Sequence, residues 1–305
     1  MFPAMARARR PTTGGLAPKG GPPAPAPGDV VGHYRVLERI ASGGMGRVYR
    51  VEALSTRQPF AMKTLRGRFA FDSDAVSRFF LEADAIKSLA HPHVVAIIDM
   101  VDAPPWPPSF VMELLEGETV AEALEREHHF SIERACAIAR DVASALVAAH
   151  AKALVHRDLK GDNVFLARGA AAVETVKVLD FGVAKLLDDS IEKKHRTAIG
   201  RQIGTPGHMA PEQLMGASGV DHRADIYGLG ILLFEMLTGR LPYEGSVSEQ
   251  LLALARSEPP APSSLAPPGR VPFPLWLDEL VLACLRKQAA SRPQSMAEVL
   301  AALGR

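Results

Sequence analysis

Cysteine is nearly absent from this chain: its 305 residues include only Cys136 and Cys284. Both lie in apolar stretches of helical spacing, which excludes a disulfide framework and reads as buried free thiols in a reducing compartment. Net charge is nearly absent too, at +1 from 35 basic and 34 acidic residues. A polyelectrolyte partner has no compositional support, and nucleic-acid binding is not expected. No stretch reaches the ~18–20 consecutive apolar residues of a membrane span. The longest approach, Ile226 to Leu237, falls short and contains Glu235. Arg7, Arg9 and Arg10 are followed by no apolar run, so the N-terminus does not read as a secretory signal. The histidines, His91, His93, His128 and His129 among them, have no cysteine companions and no zinc-ligand spacing. There is no internal repeat. A soluble, cytoplasmic protein is expected; the oligomeric state is not legible.

What is present is enough apolar material for a large core, 47% of the residues. It is unevenly placed. Residues 1–30 are mostly Pro, Gly, Ala and Arg, a composition that cannot offset its ordering entropy, and are expected to form a disordered tail. Strand-type alternation follows at Tyr34 to Ile40, Val48 to Val51 and Pro59 to Lys63. Helical spacing at 74–90 stops before His91-Pro92, and two further strands flank Pro104-Pro105-Trp106-Pro107-Pro108, read as a stiff exposed turn. Beyond Gly117 helices dominate: a long one capped by Ser131, a very apolar one from Asp225 to Thr238 closed by Gly239, and further ones near 247–257, 275–288 and 295–303. The expected class is α+β, with a small β-rich lobe at 33–115 and a larger α-helical lobe at 116–305.

The chemistry concentrates in His156-Arg157-Asp158-Leu159-Lys160-Gly161-Asp162-Asn163. Asp158 can accept the proton of an attacking hydroxyl, Lys160 can hold a phosphoryl group in transfer, and Asn163 can ligate magnesium. A strand-like run, Val176 to Leu179, then delivers Asp180-Phe181-Gly182, whose carboxylate is placed to hold the same metal. Either triplet alone is common. In this order and at this separation they are not. The chain resembles a protein kinase over about residues 33 to 303, and its Gly43-Gly44-Met45-Gly46 variant is similar to the eukaryotic-like kinases of bacteria.

The resemblance implies a bilobal fold, MgATP as co-substrate (with manganese as an alternative metal) and protein substrates. Ala41, Gly43, Gly44, Gly46 and Val48 would form the loop over the phosphates, with Ala41 where the family has its first glycine. Lys63 would contact the α- and β-phosphates, fixed by Glu82. Met112, Glu113 and Leu115 would be the hinge behind the adenine, with Val48, Ala61 and Phe165 sandwiching the ring. Lys160 and Thr205 point to serine/threonine acceptors. Glu212 would pair with Arg292, Asp225 would brace the catalytic loop, and His156 would pack beneath Phe181. Phosphorylation of Thr197, collected by Arg157 and Lys185, would order the segment between Asp180 and Glu212. Two rivals are a pseudokinase that only binds partners and a small-molecule phosphotransferase. The first usually lacks a metal or lysine residue, and none is missing here; the second would lack the Thr205 loop and Ala210-Pro211-Glu212.

Overall fold

The computed structural model of the chain describes residues 22–43, 46–65, 69–70, 72–169, 174–181, 206–214, 219–267 and 272–304. Six strands form one antiparallel sheet: β1 (Val30–Val31), β2 (Tyr34–Ser42), β3 (Gly46–Ala53), β4 (Pro59–Leu65), β5 (Ile97–Val101) and β6 (Ser109–Met112). Their order is β1-β2-β3-β4-β6-β5. Helix α1 (Ser73–Leu89) packs on this sheet through Phe79, Ala83, Ile86 and Leu89 of its apolar spacing, together with Ala75, while Val76 and Phe80 are only partly buried. Asp72 caps it, accepting from the backbone N–H groups of Asp74 and Ala75.

The rest is helical around a small antiparallel sheet, β7 (Gly117–Thr119), β8 (Val164–Arg168) and β9 (Glu174–Val178). The helices are α2 (Val120–Glu127), α3 (Ile132–His150), α4 (Pro211–Leu214), α5 (Arg223–Thr238), α6 (Val247–Arg256), α7 (Leu275–Cys284) and α8 (Met296–Leu303). α5 is buried at every position from Ala224 to Phe234, as expected for a helix apolar on all sides. It ends at Gly239, φ +71°, where a Cβ would collide with the carbonyl of His128, so only glycine fits. This β-rich unit and helical unit are the bilobal α+β architecture that the alternation switch predicts. One apolar cluster runs through both, from Phe79 and Phe110 to Val142, Phe234 and Leu285. A second, smaller one (Val31, Tyr34, Val36, Tyr49, Val51, Met62, Val111) lies on the other face of the large sheet.

Two expectations change. The stretch expected to be disordered to residue 30 joins the fold before its end. Pro25 is buried, Asp29 accepts from the N–H of Ala26 at 2.7 Å, and Val30 opens β1. The insert after β5 is only partly exposed: Pro107 and Pro108 are buried, and Trp106 packs on the smaller cluster. Trp106 also donates from Nε1 to the Val30 carbonyl at 2.9 Å. An amphipathic indole needs one such acceptor when it is half-buried, and the arriving chain supplies it.

Candidate active site

The site lies where the last strands of the large sheet face the small sheet. β4 is the central strand of its region, paired with β3 through Val48↔Lys63 and with β6 through Lys63↔Phe110. Lys63 thus stands on a backbone fixed from both sides. Gly46 must be glycine, because a Cβ there would come 2.7 Å from the Thr64 carbonyl and 3.5 Å from the Lys63 side chain. Gly43 closes the turn, donating its N–H to the Gly46 carbonyl at 2.9 Å. Ala41 is paired with Val48 across the hairpin, while Gly44 lies outside the described residues.

Lys63 Nζ sits 2.5 Å from Asp180 Oδ1, so a cation from the sheet lobe meets the carboxylate that follows β9. Glu82 lies on α1, but its side chain is outside the described residues. Asp180 has φ +48°, an uncommon left-handed backbone for a non-glycine residue. Both residues before it are tied to the catalytic loop. Val178 pairs with Val164, and the Leu179 N–H donates to the Asn163 carbonyl at 2.8 Å. Fully buried His156 donates from Nε2 to the Leu179 carbonyl at 2.8 Å, and its Nδ1 accepts from the Asp158 N–H at 3.3 Å. The two partners fix the tautomer, since a carbonyl can only accept and an N–H can only donate. Its ring lies 4.9 Å from that of Phe181.

Asp158 and Asn163 touch directly. Asn163 Nδ2 donates to the Asp158 carbonyl at 2.7 Å and to Oδ2 at 3.1 Å. This leaves Asn163 Oδ1 as the free-facing acceptor of its amide, the atom that can ligate a cation. Lys160 Nζ is 3.9 Å from Asp158 Oδ2 and 3.7 Å from Asp162 Oδ2, so its ammonium lies between the two carboxylates. Gly161 packs closely: a Cβ there would lie 3.0 Å from the Ala121 backbone at the start of α2.

Beneath the loop, buried Asp225 of α5 accepts from the N–H of His156 at 2.8 Å and of Arg157 at 2.7 Å. His150, at the end of α3, bonds the same carboxylate at 2.7 Å. Glu212 and Arg292 form a two-pronged pair, both contacts at 2.7 Å. The Arg292 side chain is fully buried, with its remaining donors on the carbonyls of Arg286, Arg223 and Lys287. His208 meets Glu235 of α5 at 3.2 Å. Thr197, Thr205 and Lys185 lie outside the described residues.

Ala61 and Met112 are cross-strand partners, and Phe165 of β8 lies between Thr119 and Lys177 in the small sheet. Glu113 is held in a way the sequence did not suggest. Its N–H donates to the Ala96 carbonyl at 3.0 Å, while its carboxylate accepts from the Ala96 N–H at 2.8 Å and from Lys177 at 2.7 Å. With that N–H committed, its carbonyl is the group left for a ligand. His150, Lys177 and Gln213 carry no motif of their own; only contacts across 56 to 75 residues of sequence, to Asp225, Glu113 and Arg157, show them. Among the described residues, no group of three or more His, Cys, Asp or Glu side chains could hold a metal. Asn163 and Asp180 nonetheless fit magnesium, which keeps few protein ligands and takes the rest from phosphates and water.

The protein kinase domain family model matches residues 34–302. Serine/threonine-protein kinase Pkn1 of Myxococcus xanthus is 39% identical over 267 residues, 87% of this chain and 37% of its own length. Serine/threonine-protein kinase PknB of Mycobacterium tuberculosis is 34% identical over 282 residues, 92% of this chain and 44% of its own length. The chain thus spans less than half of these relatives. The crystal structure of the Mycobacterium tuberculosis PknI kinase domain superposes with TM-score 0.71 at 25% identity, covering 92% of this chain and 99% of that one. On the match across 34–302, the chain belongs to the protein kinase family, and these relatives of it are bacterial serine/threonine-protein kinases.

Proposed function

We propose that the chain transfers the γ-phosphoryl group of MgATP to serine and threonine hydroxyls of proteins. The observation that carries this reading is the convergence of Lys63 and Asp180 from separate lobes at 2.5 Å, beside a loop in which Asn163 orients Asp158. Bound magnesium, with manganese as the alternative, would supply positive charge that offsets that of the phosphates. Asn163 and Asp180 are the residues that would hold it. Lys63 positions the α- and β-phosphates. Asp158, its carboxylate steadied by Asn163, orients the acceptor hydroxyl and takes its proton. Lys160 neutralises the phosphoryl group as it moves. Most of the acceleration is positioning and fixed charge. The adenine would lie between Val48, Ala61 and Phe165, against the backbone of Glu113 and Leu115. With MgATP as co-substrate, the action would be in the cytoplasm.

The same reading assigns Thr197 as the activating site, with the enzyme modifying it in trans and Arg157 and Lys185 collecting the added charge. Incubation with radiolabelled ATP and a generic protein substrate, followed by phosphoamino-acid separation, should give phosphoserine and phosphothreonine. Label on tyrosine alone, or none, refutes the proposal. Thr197→Ala should lose most activity, and phosphatase treatment should lower wild type but not the variant. Equal activity in every arm removes the switch.

A further inference from the structure

We infer that Gln213 is a positioning residue for phosphoryl transfer, its amide joining the end of the activation segment to the catalytic loop. The inference rests on the kinase reading and concerns a residue outside every motif above.

Arg157, immediately before the base, has φ +62°, a left-handed backbone that a non-glycine residue holds only when its surroundings impose it. Its peptide groups are gripped on both sides. The N–H donates to Asp225 Oδ1 of α5 at 2.7 Å, and the carbonyl accepts from Gln213 Nε2 of α4 at 2.7 Å. The opposite atom of that amide, Gln213 Oε1, accepts from the Ala210 N–H at 3.0 Å. Ala210 is fully buried and closes the segment that begins at Asp180.

Gln213 therefore needs one donor and one acceptor on the same planar group. Glutamate offers two acceptors, lysine and arginine only donors, and asparagine is one methylene shorter. The geometry also sets a direction of influence. A shift of the segment's closing end moves Ala210 and α4, and through Gln213 it pulls on the carbonyl preceding Asp158. Lys63, Asn163 and Asp180, which hold the nucleotide and metal, lie outside this linkage. Turnover should respond while ATP affinity stays.

The test is Gln213→Glu, which keeps the shape and inverts one partner. At pH 8 its carboxylate faces the Arg157 carbonyl, and kcat should fall about 10- to 100-fold, the scale of a small misplacement of a catalytic group. KM for ATP should stay near wild type, while the thermal midpoint should fall at pH 8 and recover as the pH is lowered, because a carboxyl that protonates more readily in the folded state costs stability above that pH. As pH is lowered toward ~5.5, the side chain, denied a donor there, takes up a proton. It then regains the donor-and-acceptor pattern of glutamine. The ratio of variant to wild-type kcat should climb toward one. An unchanged kcat, a deficit flat across pH, or a deficit matched by loss of ATP affinity overturns the role. A wild type that transfers no phosphate overturns the kinase reading, and this role with it.

Discussion

Lys287 shows how one side chain's surroundings make a measurable signature. Its ammonium donates to the Tyr243 hydroxyl at 2.5 Å, and that hydroxyl donates onward to the Ser257 carbonyl at 2.9 Å. Burial pushes the lysine down to about 8, with Glu258 opposing the shift. The folded state therefore sheds this proton near pH 8, while the unfolded chain holds it until about pH 10.4. Stability from this group should rise with pH across that window, because the unfolded state binds the extra proton. Urea unfolding of wild type and Lys287→Met at intervals from pH 7 to 10 reads it directly. The wild type should gain on the variant above pH 8, and a constant difference would show that burial does not act on this ammonium. The candidate site residues were legible for a different reason: Lys63, Asp158, Asn163 and Asp180, which the fold brings into contact in pairs, sit in short motifs whose order is itself rare. His150, Lys177 and Gln213 were not, because each acts on a residue far away in the chain, and no local pattern encodes such a contact.

Among the elements, α4 and the turn before α8 are joined by the Glu212–Arg292 pair. Arg292 is wholly buried, and all its donors are used. Removing one partner leaves a buried charge without its counter-ion, which typically costs ~3–5 kcal/mol. Glu212→Ala should therefore lower unfolding free energy by about that much. Glu212→Gln, which keeps the shape and one acceptor, should cost less. Chemical denaturation of the three proteins checks the order, and equal stability would mean that the pair is replaceable by water. Element positions were largely legible, since α1, α3 and α5 follow apolar spacing and α3 is capped by Ser131 as its sequence indicates. The boundaries were less so. Helix α1 begins at Ser73 because the Asp72 carboxylate, one residue earlier, caps it. The proline-rich insert is pinned because Trp106 reaches Val30 across 76 residues, which no turn preference reveals.

For the whole molecule, the switch from alternating to helical spacing near residue 117 gave the two lobes. It could not give their joint. That joint is built by the Ala96–Glu113–Lys177 contacts, the Val94↔Val178 bridge and the apolar cluster shared by both lobes. The arrangement holds Lys63 on β4 and Asp158 in the loop before β8 on separate supports, so under the proposed function binding and chemistry should be separable by mutation. The most direct test is Asp158→Asn, comparing kcat for protein phosphorylation with ATP affinity measured by calorimetry in magnesium. The account predicts a fall in kcat of ~10²–10⁴-fold, the usual worth of a positioned base, with ATP affinity within a few-fold of wild type. Turnover close to wild type, or a loss of ATP affinity equal to the loss of rate, would contradict it.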